Sequence, residues 1–343
     1  MKLLVSGGAG FIGAAFVRRV LTDARSHEVV TLDKLTYAGD PTNLDDLPNR
    51  ERHRFVLGDI TDADLVESLM EGVDAIVNIA AETHVDRSLL EPAAFVRTNV
   101  EGTLTLLEAA RRHRVRLLQV STDEVYGDMP GDDRATEAFP LRPRSPYAAS
   151  KAAADHLVAS FHVSHGADVV VTRGCNTIGA RQYPEKLVPL FVARALRDEP
   201  LPLYGDGLQV RDWLAVEDHV DGIWQALTCG LSGAVYNLAR EEELENRQVV
   251  SIILERLGKP ESLVRHVSDR PGHDRRYAID TRLAREELGW QPRYTAIEAL
   301  GRAIDWCVAN PEWSRRRLDT EIGRTYAERQ YAWRLATGTE ERG

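Results

Sequence analysis

The sequence predicts an α/β fold, in which a doubly wound parallel sheet is joined to a smaller C-terminal domain. Short apolar runs alternate with helical patterns through the first half of the 343 residues, as they do in βα units. The apolar runs are almost continuous, which favours strands that are covered on both faces. After residue 175, several prolines divide the chain into shorter pieces, which indicates a change of architecture.

The predicted elements follow one another in alternating order. We interpret as strands the runs 2–7, 28–33, 54–59, 75–80, 116–122 and 168–174. Helical patterns occupy 11–22, 62–71, 92–113 and 147–165, and two more follow at 246–257 and 295–309. A further apolar run at 234–239 is expected to be one more strand that returns to the main sheet.

These elements divide the chain into three predicted parts. Residues 1–174, with the strand near 234–239, are expected to form the sheet domain. Residues 175–320 are expected to form the smaller domain, and 321–343 a polar C-terminal tail.

Composition excludes several classes of protein. No run of 18 or more apolar residues occurs, so no membrane span is expected. The net charge of −10 argues against a nucleic-acid partner. Cys175, Cys229 and Cys307 are far apart, so neither a disulfide framework nor a metal site is expected. The first apolar run is too short for a signal peptide, and we expect a cytoplasmic protein.

A glycine-rich turn follows the first predicted strand and opens the first predicted helix. Gly7, Gly10 and Gly13 form G-x-x-G-x-x-G, which lets the backbone and the helix N-terminus approach a pyrophosphate. Asp33 ends the second strand, where a carboxylate binds ribose hydroxyls and repels a 2′-phosphate, so NAD is favoured over NADP. Asp59 and Ile60 end the third strand and are expected near the adenine. An ordinary βα turn with capping acids is the alternative, but the coincidence of these features favours a Rossmann dinucleotide site.

Tyr147 and Lys151 form a Y-x-x-x-K pair at helical spacing, so their side chains share one face. Tyrosine is a poor base at neutral pH, but a nearby ammonium and an oxidised nicotinamide would both lower its pKa. Lys151 would also hold the nicotinamide ribose. The alternative is a surface pair of no consequence, which the neighbouring dinucleotide motif disfavours.

Two adjacent carboxylates, Asp123 and Glu124, follow Thr122 at the end of an apolar strand. Carboxylates that share a site separate their pKa values, so one can hold a proton while the other is ionised. Such a pair suits an elimination, which needs one acid and one base. The alternative is that both acids only cap the loop before Pro130.

These motifs resemble the extended short-chain dehydrogenase/reductases that act on nucleotide sugars, and more narrowly the dTDP-glucose 4,6-dehydratase family, over roughly residues 1–310. The stretches that carry the resemblance are AAETHVDRS (80–88), STDEVYGD (121–128), SPYAASKAAADH (145–156), YPEKLVPL (183–190), YGDGLQVRDWL (204–214) and DRPGHDRRYAID (269–280).

The resemblance implies a lyase that removes water from dTDP-glucose and regenerates NAD. Tyr147 would take the proton of the 4-hydroxyl while NAD takes hydride from carbon 4. Glu124 would remove the proton on carbon 5, and Asp123 would protonate the departing hydroxyl on carbon 6. Thr122 would bind the oxygen on carbon 4, and hydride would then return to carbon 6.

The resemblance also implies two sets of binding residues. The cofactor set is Gly7, Gly10, Phe11, Ile12, Gly13, Asp33, Lys34, Leu35, Thr36, Asp59, Ile60, Ala80, Ala81, Thr83, Thr98, Tyr147 and Lys151. The substrate set is Thr83, Thr122, Asn176, Lys186, Leu187, Pro202, Tyr204, Arg211, Asn246, Arg270 and His273. In that set, Arg211 and Arg270 suit a pyrophosphate because guanidinium presents a bidentate fork. His273 would bind either a phosphate or only its own loop.

The chain departs from the family pattern after the sixth strand, where N-N-Y-G-P is replaced by Asn176 to Ala180 with Thr177 at the second asparagine. The resemblance further implies a homodimer through helices 92–113 and 147–165, although those faces would also serve to pack on the sheet. The alternative functions are a nucleotide-sugar 4-epimerase, or a related extended short-chain dehydrogenase with a different sugar nucleotide, and a non-catalytic NAD-binding regulator. The epimerase would not use the Asp123–Glu124 pair, and the regulator would not need Tyr147 or Lys151.

Overall fold

The computed structural model describes residues 1–329, and a seven-stranded parallel sheet dominates it in the order β10-β6-β5-β4-β1-β2-β3. The strands are β1 Lys2–Ser6, β2 Glu28–Asp33, β3 His53–Leu57, β4 Ala75–Asn78, β5 Arg116–Thr122, β6 Val169–Gly174, β7 Asn176–Ile178, β8 Leu201–Tyr204, β9 Val210–Ala215, β10 Val235–Leu238, β11 Glu243–Glu245 and β12 Val264–Val267.

Helices cover both faces of this sheet and continue into the second half of the chain. The α-helices are α1 Phe11–Thr22, α2 Ala63–Ser68, α3 Val85–Leu90, α4 Pro92–Phe95, α5 Gly102–His113, α6 Pro146–His165, α7 Leu187–Leu196, α8 Val216–Cys229, α9 Asn246–Leu257, α10 Arg282–Leu288, α11 Ala296–Ala309, α12 Pro311–Leu318 and α13 Glu321–Ala327. Short 3-10 turns lie at Pro41–Leu44, Arg50–Arg52, Asp123–Tyr126 and Glu261–Leu263.

The fold class predicted from the sequence is confirmed. All six strands predicted in the first half pair in the large sheet, and β10 pairs with β6 as expected for the run 234–239. The strand order reverses between β1 and β4, which opens a crevice at the carboxyl ends of the strands. Ligands of doubly wound sheets bind at such a crevice.

One predicted helix is wrong in detail. The segment 92–113 is not a single α-helix, because a π-helical stretch, Val96–Glu101, lies between α4 and α5. Within it, Asn99 accepts the N–H of Glu82 at 2.9 Å and donates to the Ser150 hydroxyl at 2.9 Å. Helix α3 was not predicted, and neither were α7, α8, α10 and α12 in the second half of the chain.

The second half of the chain builds its own core but also returns to the first. Strands β7, β9 and β11 form one small sheet, and β8 pairs with β12 in another. Their apolar residues pack with α7, α9 and α11 around Trp213, Phe191 and Leu300. Helix α8 instead packs on α1, and its Trp224 joins the core of the large sheet. The two halves are therefore interleaved.

Among residues 1–329, no helix is long and apolar enough to cross a membrane. The predicted polar tail, 321–343, begins with α13, and its part beyond residue 329 lies outside the described residues.

Candidate active site

A cavity of about 400 Å³ lies at the carboxyl ends of the strands, between the large sheet and the second half of the chain. The turn after β1, the ends of β2 to β6 and helix α6 form one side of it. Segments from the second half of the chain form the other side. The cavity therefore lies where the reversal of strand order predicts a ligand site.

The glycine turn after β1 is tightly constrained. Gly7 has φ of +73°, and a Cβ atom there would lie 2.6 Å from the backbone of Ala80. A Cβ atom on Gly13 would overlap the carbonyl oxygen of Gly7. No side chain caps the N-terminus of α1, so its first N–H groups stay available at the cavity wall for a phosphate.

Asp33 is held at the end of β2 by two backbone groups. Its carboxylate accepts the N–H of Ala9 at 2.9 Å and the N–H of Leu35 at 2.8 Å. Burial raises the pKa of Asp33, and these two hydrogen bonds oppose the rise. Lys34 and Asp59, both at the cavity, form an ion pair at 2.9 Å. This wall suits the ribose and adenine of a dinucleotide.

Helix α6 carries Tyr147 and Lys151 on its buried face. Ser145 begins the helix, because its hydroxyl accepts the N–H of Ala148 at 3.1 Å. One turn further along, the Lys151 ammonium donates to the carbonyl oxygen of Val120 at 2.6 Å. Burial lowers the pKa of Lys151 to about 8. The helix therefore places a phenol and an ammonium beside the end of β5.

The surroundings of Tyr147 differ from the sequence expectation. Burial raises its pKa above the usual value, the carboxylate of Glu124 raises it further, and a hydrogen bond with Thr122 lowers it. Lys151 is not a main influence on the pKa of Tyr147, because its ammonium is directed to the backbone of β5.

The two adjacent acids occupy different environments. Asp123 is 3 % exposed, and its carboxyl accepts the Thr122 hydroxyl at 3.2 Å. Burial raises the pKa of Asp123 to about 8, and the charge of Glu124 contributes. Glu124 lines the cavity, and burial raises its pKa while Arg270, Lys186 and Arg211 lower it. One carboxyl therefore favours the protonated form, and the other is surrounded by cations.

The wall contributed by the second half of the chain is basic. Lys186 donates to the carbonyl oxygen of Thr83 at 3.1 Å, and Arg270 lies 3.8 Å from Asp86. His273 binds Asp269 at 2.6 Å and also lines the cavity. This position of His273 is compatible with binding a phosphate and also with binding only its own loop.

Arg211, which is expected to bind the pyrophosphate, is deeply buried, with only 4 % of its surface exposed. Its guanidinium donates to the carbonyl oxygens of Val210 and Asp274 at 2.7 and 2.9 Å. It also stacks on the ring of Tyr277 at 4.1 Å.

The cavity brings together nearly all the residues that the sequence assigned to the site. Asp123 and Leu35 are the two that do not line it: Asp123 lies behind Thr122, and Leu35 binds Asp33 through its backbone. Thr177, at the departure from the family pattern, lines the cavity and lies 2.7 Å from the ring of His219.

Sequence reasoning assigned no function to several residues of the cavity wall. Tyr277 is the most notable, because its hydroxyl lies 3.4 Å from Glu124. It stands within DRPGHDRRYAID, one of the stretches that carry the family resemblance, but no local pattern indicates a function for the tyrosine itself. Glu82 and Asp86, which lie within the quoted stretch AAETHVDRS, also line the cavity, as does His219, which no spacing in the sequence indicates.

Comparison with known proteins agrees with this geometry. A family model described as GDP-mannose 4,6 dehydratase matches residues 4–302. A dTDP-glucose 4,6-dehydratase of Xanthomonas campestris pv. campestris (strain B100) is 48 % identical, over 92 % of this chain and 95 % of its own length. The chain belongs to the dTDP-glucose 4,6-dehydratase family. It is an extended short-chain dehydrogenase/reductase.

Other members of the dTDP-glucose 4,6-dehydratase family match equally well. The enzyme of Streptomyces niveus is 48 % identical, over 91 % of this chain and 94 % of its own length. The crystal structure of DesIV from Streptomyces venezuelae, a dTDP-glucose 4,6-dehydratase with NAD and TYD bound, has a TM-score of 0.90 and 47 % identity. It covers 92 % of this chain and 100 % of its own. A UDP-glucose 4-epimerase of Thermotoga maritima is less similar, with a TM-score of 0.84 and 28 % identity over 90 % of this chain and 99 % of its own.

Proposed function

We propose that this protein is a hydro-lyase that converts dTDP-glucose to dTDP-4-keto-6-deoxyglucose with NAD as its cofactor. The observation that carries the proposal is that Glu124 lines the cavity with Tyr147 and Lys151, while the neighbouring Asp123 is buried and accepts the hydroxyl of the cavity residue Thr122. Oxidation and reduction need only the phenol and the lysine. The additional acid and base are what elimination of water requires.

The wall at the glycine turn fits NAD. The uncapped first turn of α1 presents N–H groups to a pyrophosphate, and Asp33 provides acceptors for ribose hydroxyls that a 2′-phosphate would repel. When bound, NAD would supply the hydride acceptor for carbon 4 of the sugar and, once reduced, the hydride donor for carbon 6. We assign residues 1–174 and β10 to cofactor binding, and 175–320 mainly to substrate binding.

Tyr147 is the base of the oxidation step and removes the proton of the 4-hydroxyl. The Thr122 hydroxyl, which hydrogen-bonds Tyr147, steadies the same oxygen atom as it becomes a ketone. Lys151, anchored on Val120, supplies positive charge and holds the nicotinamide ribose. Burial and the charge of Glu124 both oppose the phenolate, so a positive charge nearby is needed to favour it.

Glu124 removes the proton from carbon 5, which the neighbouring ketone makes acidic. Burial raises the pKa of this carboxyl, and the positive charges of Arg270, Lys186 and Arg211 oppose that rise. Asp123 supplies the proton for the hydroxyl that leaves carbon 6, and it accepts a hydrogen bond from the hydroxyl of Thr122, which lines the cavity. Return of the proton from Glu124 to carbon 5 completes the product, and the proton that Tyr147 gained from the 4-hydroxyl balances the one that Asp123 gave to the departing water.

The direct test is turnover of dTDP-glucose by the purified full-length protein with NAD. A 4-keto-6-deoxy product, identified by its strong ultraviolet absorbance in alkali and by mass spectrometry as loss of water, is expected. A parallel reaction with UDP-glucose tests whether the enzyme prefers thymine to uracil in the nucleotide. An epimerised sugar without loss of water would identify a 4-epimerase instead, and tight NAD binding without turnover would identify a regulator.

We also propose that the protein acts as a homodimer in the cytoplasm. Leu89, Leu90, Val96 and Leu104 are exposed apolar residues along the α3–α5 segment, which offers a surface for a second copy.

The proposed cytoplasmic location is supported by the cysteines. Free cysteines are typical of a reducing compartment, and Cys175, Cys229 and Cys307 are all free.

A further inference from the structure

Tyr277 lies between two carboxylates at the floor of the active-site cavity. Its hydroxyl is 2.7 Å from Oδ2 of Asp274 and 3.4 Å from Oε2 of Glu124. The ring is 4 % exposed and stacks against the guanidinium of Arg211 at 4.1 Å. Arg211 is in turn fixed by hydrogen bonds to the backbone of Val210 and Asp274. The phenol is therefore held in place by its own surroundings.

We propose that Tyr277 is a positioning residue for Glu124, in which the phenolic O–H turns between the carboxylates of Glu124 and Asp274 during turnover. The proposal rests on the proposed dehydration, in which Glu124 first gains the proton of carbon 5 and later returns it.

The geometry supplies Glu124 with a partner in both of its protonation states. When Glu124 is ionised, the phenol O–H donates to it, and Asp274 keeps the hydrogen bond from Arg144 at 3.1 Å. When Glu124 is protonated, it donates to the phenol oxygen, and the phenol O–H turns to Asp274. The phenol itself neither gains nor loses a proton. A hydroxyl is needed for this exchange, because it can donate and accept at once.

Other titratable and charged groups also face Glu124, and together with Tyr277 they influence its pKa. They are Asp123, Tyr147, Lys186, Arg211, Arg270 and Asp274. Burial and the two carboxylates raise the pKa of Tyr277 well above its usual value, so the phenol stays protonated. The charge of Asp274 raises the pKa of Glu124. Removing the phenol hydroxyl and removing the Asp274 charge should therefore act on Glu124 in opposite directions.

The test compares Tyr277→Phe and Asp274→Asn with the unaltered full-length enzyme. Oxidation is followed by NADH absorbance after rapid mixing with dTDP-glucose, and dehydration by the keto-sugar product. In Tyr277→Phe we expect dehydration to slow by about tenfold to a hundredfold and oxidation to change much less, because a hydrogen bond to a charged group is lost. The acidic limb of the dehydration pH profile should move to higher pH, because the ionised base loses a donor. In Asp274→Asn the same limb should move to lower pH.

A matched control is Tyr236→Phe, which removes another buried hydroxyl that donates to a carboxylate, Glu287, at 2.7 Å. That variant should leave both steps and the acidic limb unchanged, and thermal unfolding with NAD binding checks that all variants are folded. Equal loss of both steps in Tyr277→Phe, or an acidic limb that stays in place in both Tyr277→Phe and Asp274→Asn, would overturn the inference. Failure of the unaltered enzyme to dehydrate dTDP-glucose would instead reject the proposed function.

Discussion

Asp123 and Glu124 are neighbours in the chain, yet their side chains meet different surroundings. The strand ends at Thr122, and both acids lie in the short 3-10 turn Asp123–Tyr126, where successive side chains project in different directions. Asp123 is consequently enclosed behind the Thr122 hydroxyl, while Glu124 lies at the cavity among cationic side chains. This difference in environment, more than their adjacency, separates an acid from a base.

The first prediction separates oxidation from elimination. Tyr147→Phe should abolish oxidation, because no group remains to take the 4-hydroxyl proton, and no NADH absorbance should develop on adding dTDP-glucose. Glu124→Gln should allow NADH to accumulate yet lower product formation by about a hundredfold or more, because the base is lost. Asp123→Asn should slow loss of water more than oxidation. An equal loss of the first step in all three variants would contradict these assignments.

The second prediction concerns pH. Burial and Glu124 raise the pKa of Asp123 to about 8, and Asp123 acts as the acid, so it must be protonated. The rate of dehydration should therefore decline as the pH rises through about 8. The measurement is the rate at which the 4-keto intermediate, once formed by oxidation, is converted to product. Burial lowers the pKa of Lys151 to a similar value, about 8, but Lys151 serves oxidation, so the two steps must be followed separately. The decline in dehydration should be missing from the residual activity of Asp123→Asn.

At the scale of elements, local sequence determines where helices α1 and α6, which border the proposed cofactor site, begin. Helix α1 starts directly after the glycine turn without a side-chain cap, and α6 starts at the Ser145 cap with Pro146 as its first residue. Those signals are local, so the starts of both helices were predicted to within one residue. The π-helical stretch Val96–Glu101 was not predicted, and the contacts of its Asn99 with Glu82 and Ser150 are tertiary ones that no local pattern indicates.

The third prediction tests the close approach at the glycine turn. In Gly13→Ala the added methyl would overlap the Gly7 carbonyl, so NAD binding should weaken and the free energy of unfolding should fall by about 1–3 kcal/mol. Calorimetry of NAD binding and chemical denaturation measure these effects. Gly301→Ala, also within a helix, is the control, because its added methyl meets only the flexible end of Arg256. NAD binding as tight in Gly13→Ala as in Gly301→Ala would refute the steric argument.

At the scale of the whole molecule, the two halves of the chain close one cavity from opposite sides. The first half brings the glycine turn, the acids and α6, and the second half brings Lys186, Arg211 and Arg270. Helix α8 and β10 tie the second half to the large sheet, and Arg19 on α1 pairs with Asp221 on α8 at 2.5 Å. The relative position of the two walls is thus fixed by packing as well as by chain connection.

The fourth prediction concerns assembly. Leu104 on α5 is 40 % exposed, and a glutamate there would place a charge in the proposed dimer surface. Leu104→Glu should therefore shift the protein from dimer to monomer in sedimentation velocity experiments. Ile297→Glu is the control, because Ile297 is 52 % exposed on α11, away from the α3–α5 segment, and should remain dimeric. A monomeric unaltered protein would contradict the proposed homodimer.

The sequence by itself determined the strands of the large sheet, the glycine turn, the Y-x-x-x-K pair and the two adjacent acids. Each is a local pattern, in which residue spacing follows directly from the geometry of a strand, a turn or a helix. Family resemblance then indicated which distant residues belong to the same site, although it did not give their contacts.

Only the tertiary structure decided how the charges meet. Tyr277 is separated from Glu124 by 153 residues, and their contact arises because the second half of the chain folds back onto the end of β5. The enclosure of Asp123, the direction of Lys151 toward Val120 and the stacking of Arg211 on Tyr277 arise in the same way. Burial and non-local neighbours set pKa values, and neither quantity is a property of local sequence.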